Sequence, residues 1–175
     1  MKLHDLVFEP YINEDEINKA IDKISNLLNN DYKNETPVFL SVLNGSFMFS
    51  SEIMKKFNSD CSIQFVKLSS YEGTSSSGEV QELIGLNETL AGKNVVILED
   101  IVDTGNTLKK LDRILKEKNV KSYKIASLFL KPAVYKGTIP IDYIGIEIPD
   151  EFIVGYGLDY DDLGRNLTSV YRLKS

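Results

Sequence analysis

A chain of 175 residues has room for one folded domain with a substantial core, and 42% hydrophobic with 26% charged residues is ordinary for a soluble globular protein. A net charge of −6 and a sequence pI near 4.9 argue against a general nucleic-acid binder, which would carry a basic stripe. Cys61 is the only cysteine, so no internal disulfide can form and a reducing compartment suits the chain. The opening MKLHDLVFEP lacks the apolar core of a secretion signal, and no apolar run approaches the ~20 residues that cross a bilayer, so the expected location is cytoplasmic, away from membranes.

In chain order, Ile17, Ile21, Ile24, Leu27 and Leu28 recur at helical spacing over 13–30, and Asn13 with Glu16 resembles a capping box at its start. A strand-like run over 38–43, a helix over 47–57 and an alternating strand over 62–68 follow. The stretch YEGTSSSG at 71–78 is too rich in glycine and serine to pack and reads as a mobile loop or hairpin tip, with 80–86 as its returning strand. Residues 95–98 form a short apolar, mostly β-branched run expected for a strand covered on both faces. A helix over 107–116 presents Leu108, Leu111, Ile114 and Leu115 on one side. Runs at 123–130, 143–148 and 152–154 complete the strands, with a last short one at 169–173. Strands alternating with helices imply an α/β fold with a mainly parallel central sheet flanked by helices. The 71–86 hairpin and the segment after Pro140 read as additions to it.

The richest segment is VVILEDIVDTGNTL at 95–108. A buried strand ends there in Glu99 and Asp100, and Asp103 opens the turn Asp103-Thr104-Gly105-Asn106-Thr107 into a helix. Ligands of parallel α/β sheets bind beyond the carboxyl ends of strands. A turn entering a helix offers free N–H groups and the positive end of the helix dipole, which suits an anion. Gly105 allows close backbone approach, and the hydroxyls of Thr104 and Thr107 add donors. Carboxylates beside a phosphate cradle are reconciled if they hold sugar hydroxyls and Mg²⁺ offsets the negative charge. The plainer alternative is an acidic first turn that only complements the dipole.

This order of apolar strand, acidic pair, Asp-Thr-Gly-x-Thr turn and helix resembles the phosphoribosyl-pyrophosphate-binding motif of the type I phosphoribosyltransferases. From about residue 40 to residue 165 the chain is similar to their hypoxanthine-guanine branch. The resemblance implies one phosphoribosyltransferase domain over 1–175, a small hood, and a flexible β-hairpin lid over 70–79 that excludes water and includes Ser70 and Tyr71. It implies purine salvage, with the 5-phosphoribosyl group moving from phosphoribosyl pyrophosphate to N9 of hypoxanthine, and of guanine. Glu99 and Asp100 then hold the ribose hydroxyls and take part in metal binding. The 103–107 turn wraps the 5′-phosphate, and Asp103 faces N7 of the purine as general base.

By the same resemblance Lys131, at the sheet edge, donates to the 6-oxo group, Phe152 stacks on the purine and the Ile153 backbone reads the ring edge. Asp159 is a ligand of a second Mg²⁺, and Arg165 meets pyrophosphate together with the Leu43-Asn44-Gly45 loop. Relatives often carry lysine where Asn44 stands and a basic residue where Asn106 stands, and their peptide equivalent to Leu43-Asn44 can be cis. Taken singly these residues have plainer readings. Lys131 suits a solvated strand-end lysine, Phe152 a core aromatic, Asp159 an exposed acidic turn with Asp161 and Asp162, and LNGS a turn capped by Ser46. A homodimer or homotetramer is expected by analogy with the family. His4 and Cys61 receive no role.

Two other classes compete. A regulatory protein could keep the phosphoribosyl-pyrophosphate pocket without catalysis, although it would not need Asp103 beside Lys131 and Phe152. A signalling receiver domain places its acidic pair at the first strand, and a Walker-type ATPase needs a G-x-x-x-x-G-K-[ST] loop that this chain lacks. A phosphoribosyltransferase for another base, such as xanthine, shares the 95–108 motif.

Overall fold

The computed structural model describes residues 1–68, 82–84 and 90–174. The lid expected over 70–79, with Ser70 and Tyr71, lies outside the described residues. Helix α1, Glu14–Asp31, starts where the sequence signals it. Asn13 Oδ1 accepts from the Glu16 amide at 3.0 Å and Glu16 Oε2 accepts from the Asn13 amide at 2.9 Å, so two donors at the helix start are satisfied reciprocally.

The main sheet contains β3 (Val38–Val42), β4 (Ser62–Leu68), β5 (Glu82–Ile84), β6 (Asn94–Val102), β7 (Ser122–Leu130) and β8 (Tyr143–Glu147), in the order β5-β4-β3-β6-β7-β8. β5 runs antiparallel to β4 and every other neighbouring pair is parallel. Residues after Pro140 are therefore only partly an addition, since 143–147 supplies an edge strand of this sheet.

Alternation along the central strands divides the core. Phe39, Val96, Leu98, Ala126 and Leu128 pack with α1 and with α2 (Phe47–Lys56). Leu40, Val95, Ile97 and Ile125 pack with Leu108, Leu111 and Leu115 of α3 (Asn106–Glu117) on the opposite face. Helices on both faces are why the strands read as unbroken apolar runs. Each buried leucine of α3 contributes roughly 1.5–3 kcal/mol by leaving water, which fixes the helix start against the end of β6.

A second sheet, β1-β2-β10-β9, is wholly antiparallel and joins β1 (Lys2–Leu3) and β2 (Leu6–Ile12) to β10 (Val170–Leu173) and β9 (Ile153–Val154). Its N-terminal half was not legible as strand. Pro10 interrupts the run, and the structure accommodates it beside the register shift between Val170 and Tyr171. Ile12, Ile153 and Val170 bury into the same core as α1, so this sheet is anchored beside the main one as a hood. Among the described residues no helix is long and apolar enough to cross a membrane.

Candidate active site

The acidic pair sits inside a strand rather than at its end, because β6 continues to Val102. Pairing with β3 stops at Ser41–Leu98, whereas pairing with β7 runs on to Val102–Leu130. Glu99 and Asp100 thus pass the end of β3 while β7 still holds their backbone. Beyond them Gly105 adopts φ +78° and caps α3, and its missing side chain admits the ring of Tyr135, which a Cβ there would overlap. No side chain caps α3, and its first turn has no acidic residue. Its first amides therefore carry no side-chain cap. Glu99, Asp103, Thr104, Gly105, Asn106 and Thr107 line a hollow of about 80 Å³.

The other wall comes from distant chain. The Leu43-Asn44 peptide is cis, and Gly45 lies so close to Asp100 that a Cβ would overlap the carboxylate. Gly157, at φ +97°, has no room for a Cβ because the Gly45 carbonyl occupies that space. The Arg165 carbonyl accepts from the Gly157 amide at 3.0 Å, and Arg165 Nη1 donates to the Gly157 carbonyl at 2.8 Å. Arg165 Nη2 also pairs with Asp159 Oδ1 at 2.7 Å. Asp159 Oδ2 accepts from the Asp162 amide at 2.9 Å, so Asp159 is engaged in the site while Asp161 and Asp162 remain exposed. Ser46 does not act as the expected side-chain cap of α2. Its hydroxyl donates to the Val42 carbonyl at 2.7 Å and meets Ser41 Oγ at 2.8 Å, within a buried trio completed by Ser50.

On the base side Lys131 follows β7, a strand flanked by β6 and β8, so it stands at the carboxyl end of the sheet and not at a lateral edge. It is 7% exposed, which sets aside the solvated reading. Its ammonium lies 3.0 Å from both Asp103 Oδ2 and Asp150 Oδ1. Phe152 is 44% exposed, so it is not a core aromatic, and the rings of Phe8 and Tyr160 flank it at centroid distances of 6.0 and 5.8 Å. The Phe152 carbonyl accepts from the Leu173 amide at 2.9 Å. Antiparallel alternation then turns the Ile153 amide and carbonyl away from β10, toward the open edge of β9.

Burial pushes the Glu99 carboxyl well above the usual range, and neighbouring Asp100 pushes it further. Burial raises Asp100 to about 6, against the pull of backbone hydrogen bonds and of Arg165. Burial would depress the Lys131 ammonium, but hydrogen bonds to Asp150 and Asp103 outweigh it and the net shift is upward. The acidic pair is thus under-compensated, and sugar hydroxyls or a cation would relieve it.

Tyr135, Gly157, Asp150 and the serine trio carry no separate signal in the amino-acid sequence. The spacing Gly155-Tyr156-Gly157 was the one available hint, since all three adopt positive φ.

A parallel sheet with an acidic pair near the end of β6, an uncapped helix start and a glycine turn between them fits a phosphoribosyl transferase domain, and the chain belongs to that family, whose pattern matches residues 12–161. A hypoxanthine-guanine phosphoribosyltransferase of Staphylococcus epidermidis is 41% identical over 165 residues, covering 94% of this chain and 92% of that one. That of Staphylococcus aureus is 40% identical over 173 residues, covering 98% and 97%. A crystal structure of a hypoxanthine phosphoribosyltransferase from Staphylococcus aureus superposes with a TM-score of 0.88 at 41% identity, over 97% of this chain and 92% of that chain. A Bacillus anthracis hypoxanthine-guanine phosphoribosyltransferase with HEPES in its active site gives 0.88 at 32% identity, over 97% and 99%.

Proposed function

We propose that this chain is a purine-salvage enzyme that transfers the 5-phosphoribosyl group from phosphoribosyl pyrophosphate to N9 of hypoxanthine and of guanine, releasing pyrophosphate. The observation that carries the reading is the 3.0 Å approach of the Lys131 ammonium to the Asp103 carboxylate beside the 99–107 platform. A donor for a 6-oxo group and an acceptor for the N7 proton stand together there. Glu99 and Asp100 accept from the ribose hydroxyls, and the amides of 103–107 hold the 5′-phosphate. As N9 bonds to the anomeric carbon and the pyrophosphate oxygen leaves, Asp103 takes the N7 proton, so no cationic purine accumulates. Amides of Asn44 and Gly45, with Arg165 turned from Asp159, receive the departing pyrophosphate, whereas the Leu43 amide expected to join them already donates to the Val66 carbonyl at 2.8 Å.

Among the described residues no group of three or more His, Cys, Asp or Glu forms a metal cage. That fits Mg²⁺ shared with substrate, which uses one or two carboxylates plus phosphate oxygens. Glu99 and Asp100 would hold one such ion and Asp159 a second, and when bound they would supply neutralisation of charge on the leaving pyrophosphate. Phe152 contributes stacking, and Lys131 with the outward Ile153 carbonyl selects 6-oxopurines. Adenine would turn its amino donor to the ammonium, at ~1–3 kcal/mol for each unpaired group. A cytoplasmic homodimer or homotetramer rests on the resemblance alone, and light scattering checks the assembly. One domain over 1–175 belongs to the same proposal.

The test is a base panel with phosphoribosyl pyrophosphate and Mg²⁺, following pyrophosphate release. Hypoxanthine and guanine should exceed adenine in kcat/KM by on the order of 10³. Adenine turning over as well as hypoxanthine would sink the assignment.

A further inference from the structure

Asp150 has no place in the reaction as set out above, yet its carboxylate lies 3.0 Å from the Lys131 ammonium, as close as Asp103. The backbone explains the proximity. Leu130 accepts from the Ile148 amide at 2.8 Å, which keeps the chain after β8 beside the end of β7. Pro149 accepts from the Glu151 amide at 2.8 Å, closing a short turn with Asp150 between them. Two residues later Phe152 and Ile153 follow, so the turn joins the lysine to the residues assigned to the purine.

Resting on the function proposed above, we infer that Asp150 is the positioning residue of the base subsite, sharing the Lys131 ammonium with Asp103 so that it is not drawn wholly onto that carboxylate. A lysine stem is flexible and its ammonium carries three donors. With one carboxylate beside it, the ammonium would settle over Asp103, the group that must remain open to the purine N7 proton. A second carboxylate on the other side divides the attraction. Two donors are then engaged and one is left for the 6-oxo oxygen. The side-chain exposures fit this division, since Lys131 is buried at 8% while Asp150 is 68% open and can be changed without disturbing the core.

The experiment compares Asp150→Asn with wild type by calorimetric titration with inosine 5′-monophosphate and with ribose 5-phosphate, alongside kcat and KM for hypoxanthine and phosphoribosyl pyrophosphate. Ribose 5-phosphate occupies the 99–107 platform without a base, so it reports the structural integrity of the site. Asp150→Asn should weaken inosine monophosphate and lower kcat/KM for hypoxanthine about tenfold, the scale of one hydrogen bond to a charged group. Ribose 5-phosphate affinity, the KM for phosphoribosyl pyrophosphate and the melting temperature should stay at wild-type values. Asp150→Glu should recover part of the loss, and Asp150→Ala should reproduce it. Unchanged inosine monophosphate binding, or equal weakening of both ligands, overturns the inference. A wild type inert toward every 6-oxopurine overturns the function itself, whereas an active wild type with an indistinguishable Asp150→Asn variant removes only the role of Asp150.

Discussion

The two walls of the site are built in opposite ways. One is continuous chain, in which β6, the turn 103–107 and α3 follow one another, and each step is fixed by its neighbour in sequence. The other is assembled from Gly45, Gly157, Asp159 and Arg165, brought together by glycines that let three backbones touch. In the first wall function depends on particular side chains or free amides. In the second it depends also on the absence of side chains at Gly45 and Gly157, so an added methyl there does as much harm as a lost charge.

The sharpest way to separate the walls is Asp103→Asn. It should cut the chemical step by roughly 10²–10⁴-fold while ribose 5-phosphate still binds, as a single-turnover measurement with a titration can show. Normal turnover by that variant would end the assignment of Asp103 as base. Gly45→Ala tests the opposite wall. Its methyl overlaps the Asp100 carboxylate, so stability should fall by the upper end of about 1–3 kcal/mol, with a raised KM for phosphoribosyl pyrophosphate. A variant that melts and binds like wild type would show that the contact is not needed.

The smallest effect has an unusual sign. Burial raises Asp100 to about 6 from the usual 3.8, so the folded chain binds that proton more tightly than the unfolded chain. The resulting stability is present at low pH and is lost as pH rises from about 4 to about 6. At pH 7, without magnesium, Asp100→Asn should therefore stabilise the protein. Each pKa unit is worth about 1.36 kcal/mol, and relaxation trims the total to roughly 1–2 kcal/mol. The gain should close near pH 4 in melting curves, and a gain independent of pH would contradict this origin.

The same contrast governs what the sequence disclosed. The capping box at Asn13, the apolar stripe of α3 and the strand–acid–turn–helix order are local, and local patterns are written in consecutive residues. β6 was cut short at Leu98 because Glu99 and Asp100 are poor strand residues, yet pairing with β7 keeps them extended. β2 is not legible as a strand because its proline reads as a breaker until the register shift in β10 accommodates it. Lys131, Phe152, Asp159 and Arg165 could be assigned only through family resemblance, since nothing in their spacing says that they meet. Asp150 lay outside even that, because a carboxylate in a turn looks like any solvated acid until its lysine is seen.

The uncapped start of α3 has a consequence for how the protein tolerates variation. Main-chain dipoles neither ionise nor change with most substitutions, so the amide part of the anion grip at 104–107 should persist across neutral and mildly acidic solutions, modulated by the ligand's own second ionisation near ~6 and by the raised Glu99 and Asp100 carboxyls beside it. Drift at the exposed Asn106 then leaves recognition intact, and a chain with net charge −6 can retain a polyphosphate without a dense cationic surface.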